Sequence, residues 1–259
     1  MILLETKTLT RAYGGVVAVS NVSFQAQEGL ITGLIGPNGA GKTTLFNNMT
    51  GLDIPSAGKV YFKGKDITNL SAHKICRMGI ARTFQNIRLF KELTVAENVM
   101  VGRHFKTGRD AHHGRTLTAF GSYLHMNKEH QQVRMEAMRW LEFFGLQKFA
   151  DELAKNLPYG HQRELEIARA LATEPTLLFL DEPAAGMNPQ ETSSLMATIR
   201  RIRDLGITVV LIEHDMKLVM NICDTISVLN YGENIANGTP SEIRGNPLVI
   251  EAYLGKEEE

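Results

Sequence analysis

LITGLIGPNGAGKT occupies residues 30–43. Its first six residues, Leu30 to Ile35, are nearly all apolar, which is typical of a buried parallel strand. The residues that follow match the pattern GxxxxGK[ST] in a strand, loop and helix setting. Glycines there let backbone N–H groups converge on a polyphosphate, and the next helix adds its positive N-terminal dipole. The segment therefore predicts a phosphate-binding Walker A loop within an α/β core.

The residues of this loop have separate predicted roles. We expect Lys42 to reach the β and γ phosphates of a nucleoside triphosphate and the Thr43 hydroxyl to hold Mg²⁺. The full predicted set of contacts in the loop is Gly36, Pro37, Asn38, Gly39, Ala40, Gly41, Lys42, Thr43 and Thr44.

Two further apolar runs, Thr176–Leu180 and Thr208–Ile212, are also typical of buried parallel strands. Open parallel sheets bind ligands at the carboxyl ends of their strands, where the first run delivers Asp181 and Glu182. Asp181 suits Mg²⁺, directly or through water, and Glu182 suits the base that polarises the attacking water. The second run leads to His214, which could donate to the γ-phosphate. A lone histidine is more often structural, but a strand end favours a functional role.

Other local patterns outline the rest of the chain. Residues 17–27 and 59–63 alternate loosely between apolar and polar, which predicts peripheral antiparallel strands. Residues 71–172 are mostly helical in pattern. A capping box at Thr94–Glu97 predicts the start of a helix. An apolar stripe with helical spacing ends at Gly145, which predicts a left-handed C-terminal stop; its members are Val133, Ala137, Trp140, Leu141 and Phe144.

Residues 103–131 contain several histidines, including His112 and His113. A metal site is one interpretation of this segment. We favour a solvated, irregular insertion, because neither a carboxylate nor a cysteine stands at ligand spacing.

The composition limits the partners of the chain. Lys plus Arg and Asp plus Glu number 28 each, so no global field draws the protein to nucleic acid or an anionic membrane. No apolar run approaches the roughly 20 residues that cross a bilayer, and MILLETKTLT lacks the apolar stretch of a secretory signal. Cys76 and Cys223 lie far apart and are expected to be buried, unreactive thiols. We expect a cytosolic chain that reaches a membrane through partners.

Taken in order, these motifs resemble the nucleotide-binding subunit of ABC transporters over essentially the whole chain. The resemblance implies that Gln85, in TFQN, is the Q-loop residue that senses Mg²⁺ and the attacking water, and that Tyr13 stacks on adenine. It implies that His214 is the switch histidine and that ATP and Mg²⁺ are the ligands. Residues that occupy the place of the family signature LSGGQ are Leu157, Pro158, Tyr159, Gly160 and His161.

The chain departs from the family at two motifs. In the signature, Pro158 removes a hydroxyl that the family uses on the γ-phosphate, so backbone contacts must contribute more. Gly160 is retained, and Glu164–Ala172 has a helical pattern whose N–H groups and dipole can face a phosphate. In the D-loop, Asn188 puts an amide where the family usually has an acid.

The implied fold is an α/β P-loop NTPase of the ABC cassette type, with a mainly parallel core sheet, an antiparallel β subdomain and an α-helical subdomain. Residues 1–259 would form a single ABC ATPase domain. Residues 1–84 and 173–259 would form the RecA-like core with its antiparallel part, and about 85–172 the helical subdomain that carries the signature.

Several stretches are similar to the ATPases of branched-chain amino acid importers: LPYGHQRELEIARAL, DEPAAGMNPQET, the 103–131 insertion and the ending NPLVIEAYLG. This resemblance implies a partner cassette, identical or similar, on two transmembrane permease subunits fed by a periplasmic solute-binding protein. The chain would lie peripherally at the cytoplasmic face of the bacterial inner membrane. Exposed Ile87, Leu89 and Phe90, next to Gln85, would suit docking to the permease, and core packing explains them equally well.

Three alternatives stay open at this point. The chain could power another ABC transporter, such as one that extracts lipopolysaccharide, although DEPAAGMNP and the C-terminal ending favour amino acid import. It could act on DNA or ribosomes, but it has neither long coiled coils nor two cassettes, and it lacks a basic track. A binding module without catalysis is disfavoured because Lys42, Asp181, Glu182 and His214 are all intact.

Overall fold

The computed structural model describes the backbone of residues 1–110 and 119–254 and the side chains of residues 1–103 and 130–253. The chain divides into two compact units. The core unit contains Met1–Arg82 and Thr176–Glu259, and the helical unit contains Thr83–Pro175. Within the core unit, the Gly79 carbonyl accepts hydrogen bonds from the N–H groups of Thr176 and Leu177, at 2.8 and 3.1 Å.

The core unit contains a six-stranded sheet that is parallel except at one edge. The predicted strands are confirmed at 31–35, 177–181 and 208–212, and all their residues are buried. This follows from their apolar composition, because a strand covered on both faces needs no alternation. In spatial order the strands are β10 (Glu233–Gly238), β9 (Thr225–Asn230), β3 (Ile31–Ile35), β8 (Thr208–Ile212), β7 (Leu177–Asp181) and β6 (Ile80–Arg82).

A second, antiparallel sheet of four strands has the order β2-β1-β4-β5. The loose alternation at 17–27 and 59–63 predicted two of them. The first strand was not predicted, because bulges near Thr8, which has a φ of 46°, interrupt its alternation. The strands are β1 (Ile2–Tyr13), β2 (Val16–Gln27), β4 (Ala57–Phe62) and β5 (Lys65–Asp66).

Three helices of the core unit directly follow its parallel strands β3, β7 and β8: Lys42–Met49, Pro189–Asp204 and Met216–Ile222. Phe46 on α1 and Phe179 on β7 meet edge to face with ring centroids 4.8 Å apart, at the centre of a core that both sheets share. The helices are α1 (Lys42–Met49), α2 (Ala72–Arg77), α6 (Pro189–Asp204), α7 (Met216–Ile222), α8 (Pro240–Arg244) and α9 (Pro247–Leu254).

The helical unit has its own apolar core. Its main helices are α3 (Val95–Asp110), α4 (Ala119–Phe143) and α5 (Tyr159–Leu171). The predicted capping box is confirmed, because the Thr94 N–H donates to Glu97 Oε2 at 2.8 Å and the Glu97 N–H donates to Thr94 Oγ1 at 3.2 Å. Gly145, with a φ of 71°, follows α4 as expected. From the predicted stripe, Ala137 and Leu141 are fully buried.

Two expectations for this unit were wrong. The 103–131 segment is helical at 103–110 and 119–131 rather than irregular. These helices were not predicted because the segment has no clear apolar stripe at helical spacing. Residues 111–118, with His112 and His113, lie outside the described residues. Helix α5 begins at Tyr159 rather than Glu164. Gly160 therefore lies in the first turn of α5, where the backbone N–H groups have no partner within the helix.

The cysteines differ in burial. Cys223 is buried as expected, and burial raises the pKa of its thiol to about 12. A Cβ added at Gly33 on β3 would lie only 2.9 Å from the Cys223 Sγ, so β3 and Cys223 are in close contact at this glycine. Cys76 is half-buried, and burial raises its pKa as well.

Among the described residues, no helix combines the length and the apolar character needed to cross a bilayer.

The packing of Phe46 on Phe179 predicts a large loss of stability in Phe179→Ala. Phe179 is fully buried, and truncation of such a ring costs about 3–5 kcal/mol through lost burial and a residual cavity. Denaturant titration followed by circular dichroism measures this. The matched control is Tyr231→Ala, whose ring is 89% exposed and whose loss should change stability by less than about 0.5 kcal/mol. Equal effects of the two changes would contradict this packing.

Candidate functional site

The loop between β3 and α1 has no room for side chains at two glycines. A Cβ at Gly36 would lie 2.1 Å from the Leu229 carbonyl oxygen, and one at Gly41 would lie 2.4 Å from the Ala18 carbonyl oxygen. Gly41 also has a φ of 97°, in the region that favours glycine. The loop is therefore a surface of backbone groups, as a polyphosphate site requires.

Lys42 begins α1 and is largely buried. Its Nζ donates to the carbonyl oxygens of Gly36 and Pro37, at 2.7 and 2.9 Å. Burial lowers the pKa of Lys42, and the negative charges of Glu182 and Asp181 oppose this effect. The loop lysine and the two acids after β7 thus act on one another electrostatically. Thr43 and Thr44 follow in the first turn of α1.

Asp181 ends β7 and is 3% exposed. Its Oδ2 accepts a hydrogen bond of 2.8 Å from Nη2 of Arg82, which ends β6. The Nη1 of Arg82 donates to Asn47 Oδ1 at 2.7 Å and to Thr50 Oγ1 at 3.1 Å. Arg82 was not among the predicted residues. No local pattern indicates its role, because only the pairing of β6 with β7 brings Arg82 close to Asp181.

Glu182 and His214 lie close to each other, because each follows one of the paired strands β7 and β8. Their Oε2 and Nδ1 atoms are 3.9 Å apart, and both side chains are accessible. Glu182 has a φ of 45°, and its N–H donates to the Ile212 carbonyl at the end of β8 at 3.0 Å. A non-glycine residue in this conformation is unusual and marks a position that its surroundings strongly constrain.

The side chain of Glu213 holds the backbone near these two residues in place. It is 1% exposed and accepts hydrogen bonds from the N–H groups of Ala184 and His214, at 3.0 and 3.3 Å. Burial raises the pKa of Glu213, the N–H of Ala184 and His214 lower it, and the charge of Glu182 adds a smaller upward effect. Glu213 thereby ties the turn after β7 to the end of β8.

Tyr13 ends β1 with an accessible ring. Its hydroxyl donates to the Asp53 carboxylate, and the Arg11 guanidinium lies 4.4 Å from the ring centroid. Arg11 also pairs with Asp53, with Nη2 and Oδ1 2.8 Å apart. The ring is thus held in place with one face covered by Arg11, so an aromatic base would stack on the other.

In the helical unit, Gln85 has an exposed side chain. The carbonyl oxygens of Phe84 and Gln85 accept hydrogen bonds of 2.6 and 2.7 Å from Arg163 on α5, whose side chain is fully buried. Arg163 also pairs with Glu166 at 2.9 Å, and Glu166 accepts from the N–H of Arg88 at 3.1 Å. This buried pair, which was not predicted, fastens the segment that contains Gln85 to α5, the helix whose first turn contains the last three signature residues.

The signature residues surround the start of α5. Leu157 is buried, Pro158 is the N-cap residue, and Tyr159, Gly160 and His161 form the first turn. The free N–H groups of a helix start favour an anion.

Of the segment next to Gln85, Phe90 is 50% exposed, whereas Leu89 packs against the helical core. In the altered D-loop, Asn188 caps α6. Its side-chain oxygen accepts from the N–H groups of Gln190 and Glu191, both at 3.0 Å.

A Mg²⁺ ion fits the donors at this edge of the sheet. Mg²⁺ takes one or two carboxylates together with hydroxyls, waters and substrate phosphates, rather than a cage of protein ligands. Asp181 and Thr43 are oxygen donors of this kind. The part of the chain that the structure describes contains no cluster of three or more histidine, cysteine and acidic side chains able to hold a metal.

Comparison with known proteins agrees with this geometry. A family model described as ABC transporter matches residues 19–185. This chain belongs to the ABC transporter family of ATP-binding cassettes. A second model, described as branched-chain amino acid ATP-binding cassette transporter, matches residues 233–259.

Curated relatives match nearly the whole chain. The high-affinity branched-chain amino acid transport ATP-binding protein BraF of Pseudomonas aeruginosa is 48% identical over 98% of both chains. LivG of Escherichia coli K12, of the same description, is 46% identical over 98% of both chains. A probable LivG of Archaeoglobus fulgidus is 37% identical.

Solved structures confirm the predicted fold. A nucleotide-free ATP-binding cassette from an ABC transporter superposes with a TM-score of 0.84 at 33% identity, covering 99% of this chain and 100% of that one. A dimeric ATP-binding cassette bound to ADP and Pi has a TM-score of 0.76 at 26% identity, covering 92% and 99%.

The contact between Arg82 and Asp181 predicts that Arg82→Met is strongly destabilising. Removal of the cation from a buried ion pair costs about 3–5 kcal/mol, because the buried carboxylate loses that attraction. In Arg82→Met/Asp181→Asn the buried carboxylate is replaced by a neutral amide, so the double variant should recover much of this loss. Free energies of unfolding from denaturant titration form a double-mutant cycle. Additive losses would show that the pair is not coupled.

Proposed function

We propose that this chain binds ATP with Mg²⁺ and hydrolyses it to drive the import of branched-chain amino acids across a bacterial inner membrane. The main support for hydrolysis is the distance of 3.9 Å between Glu182 Oε2 and His214 Nδ1. Both residues lie at the same sheet edge as the phosphate loop. The names of relatives up to 48% identical over 98% of the chain support the transport part.

Hydrolysis would proceed by direct attack of water on the γ-phosphorus, with cleavage of its bond to the β–γ bridging oxygen and release of ADP and phosphate. The loop amides between Gly36 and Thr43 would bind the phosphates, and Lys42 would turn from the carbonyls of Gly36 and Pro37 to the β and γ phosphates. Glu182 would take the proton of the attacking water as general base. His214 would donate a hydrogen bond to the γ-phosphate. Thr43 and Asp181 would hold Mg²⁺, which neutralises phosphate charge when bound.

The remaining predicted residues would complete the site from other surfaces. Tyr13 would stack on adenine with the face opposite Arg11. Gln85 would contact Mg²⁺ and the water, and it would report their presence to a membrane subunit. Leu157, Pro158, Tyr159, Gly160 and His161 would face the γ-phosphate of ATP bound to a second cassette, mainly through helix-start N–H groups. This is the arrangement in which ATP closes a dimer and hydrolysis opens it.

The partners follow from this proposal. The chain would pair with a second ABC ATPase subunit, identical or similar to it, and a related cassette at 26% identity is described as dimeric. The pair would attach to two transmembrane permease subunits at the cytoplasmic face of the inner membrane. A periplasmic solute-binding protein would deliver the amino acid. Residues 1–259 would act as a single ABC ATPase domain with no role for nucleic acid.

We expect Glu182→Gln to retain ATP binding while turnover falls by more than about 100-fold, because the amide cannot accept the proton. Measurements of phosphate release and of bound nucleotide test this. Glu233→Gln, an exposed change on β10, should leave turnover at the native level. Ordinary turnover in the Glu182 variant would remove this residue from the role of base.

The transport assignment is tested in the complex that co-purifies with the chain. The complex is placed in liposomes, and its ATPase rate is measured with each candidate amino acid and its binding protein. Stimulation of the native complex by leucine, isoleucine or valine, and its absence in the Glu182→Gln complex, is the expected result. Nucleic acid or ribosomes as the co-purified partners would refute the transport function.

A further inference from the structure

A pocket of about 390 Å³ lies between α7, α8 and α9 of the core unit, and the proposed ATP chemistry makes no use of it. Its apolar lining includes Met216 and Met220 from α7, Ile243 from α8, and Val249 and Ile250 from α9. Two of these residues belong to the ending NPLVIEAYLG. A concave, mainly apolar surface of this size is typical of a site for a small molecule.

The charges on the pocket have one sign. Lys217 and Arg244 line it, and no carboxylate does. Both cationic residues are exposed, and neither forms an ion pair with any residue that the structure describes. An apolar cavity with two available cations favours a ligand with an apolar body and an anionic head.

Tyr253 on α9 also lines this pocket. Its hydroxyl is fully buried, so the charged groups that a ligand in the pocket can reach are Lys217 and Arg244.

We propose that this pocket binds a small apolar carboxylate, with its chain against Met216, Met220 and Val249 and its head near Lys217 and Arg244. A free amino acid fits less well. Its ammonium group would need an acceptor, and the pocket has no carboxylate to provide one.

The pocket is connected to the nucleotide site through α7, which is capped by Asp215, the residue after His214. A ligand that contacts α7 would therefore change nucleotide affinity, and nucleotide would change ligand affinity by the same factor.

Calorimetric titration of the purified chain, without nucleotide, tests binding by itself. The probes are octanoate, the 2-oxo acid of leucine, leucine and octanol. We expect saturable binding of at least one carboxylate, with leucine and octanol weaker by about tenfold or more. Octanoate alone would indicate a lipid-like source, and the 2-oxo acid alone would indicate a metabolite. If neither carboxylate binds saturably, or octanol binds as tightly, the proposal is wrong.

Charge reversal at the rim tests the location. Lys217→Glu/Arg244→Glu should weaken carboxylate binding by about tenfold or more. Lys74→Glu, an exposed change on α2, is the matched control and should bind like the native chain. Circular dichroism and retained ATP binding establish that each variant is folded. Unchanged binding in the folded double variant would refute the pocket as the site.

Because this titration needs no ATP, its result is independent of the proposed hydrolysis. A last titration measures ATP affinity with and without saturating octanoate or 2-oxo acid. We expect a change of about fivefold or more in the native chain and none in the double variant. Unaltered ATP affinity would refute the connection between the two sites and leave the binding result unaffected.

Discussion

The carboxyl ends of β3, β7 and β8 meet at one edge of the six-stranded sheet, and the chemical groups of the core unit depend on that alignment. The register pairs Asp181 with Ile212 and Leu34 with Ile212, so the three strands end level with one another. The phosphate loop, the acids at 181 and 182 and the histidine at 214 follow directly from these ends. Parallel pairing therefore brings together groups that are far apart in the sequence.

Burial at this edge has different consequences for different charges. Asp181 is buried with a cationic partner, Arg82, at 2.8 Å. Glu213 is equally buried, but its partners are backbone N–H groups, and burial raises its pKa. Glu182 and His214 remain accessible. The site thus separates charges that hold the framework from charges that can meet water and substrate, which is the distribution that general acid–base chemistry requires.

The sequence predicted this edge of the sheet because its signals are local. An apolar run followed by glycines or acids defines both the strand and the group at its end, so the three core strands and the candidate residues at their ends could be found without a structure. Contacts between residues that are far apart in the sequence could not be found in this way. Arg82 and Arg163 act through partners that only the tertiary fold brings near, Asp181 for the first and the Gln85 carbonyl for the second. Polar helices around residues 103–131 were missed because they lack an apolar stripe.

The hydrogen bonds from Thr176 and Leu177 to Gly79 have a consequence for biosynthesis. They join the two stretches of the core unit between which residues 83–175 are inserted. On the ribosome the antiparallel sheet is complete by residue 66 and the helical segment by residue 175. Strand β3 must wait for β8 and β9. Its backbone edges stay unpaired and its apolar side chains lack their neighbours for most of translation, so a nascent chain stalled before residue 208 exposes the kind of surface that chaperones recognise.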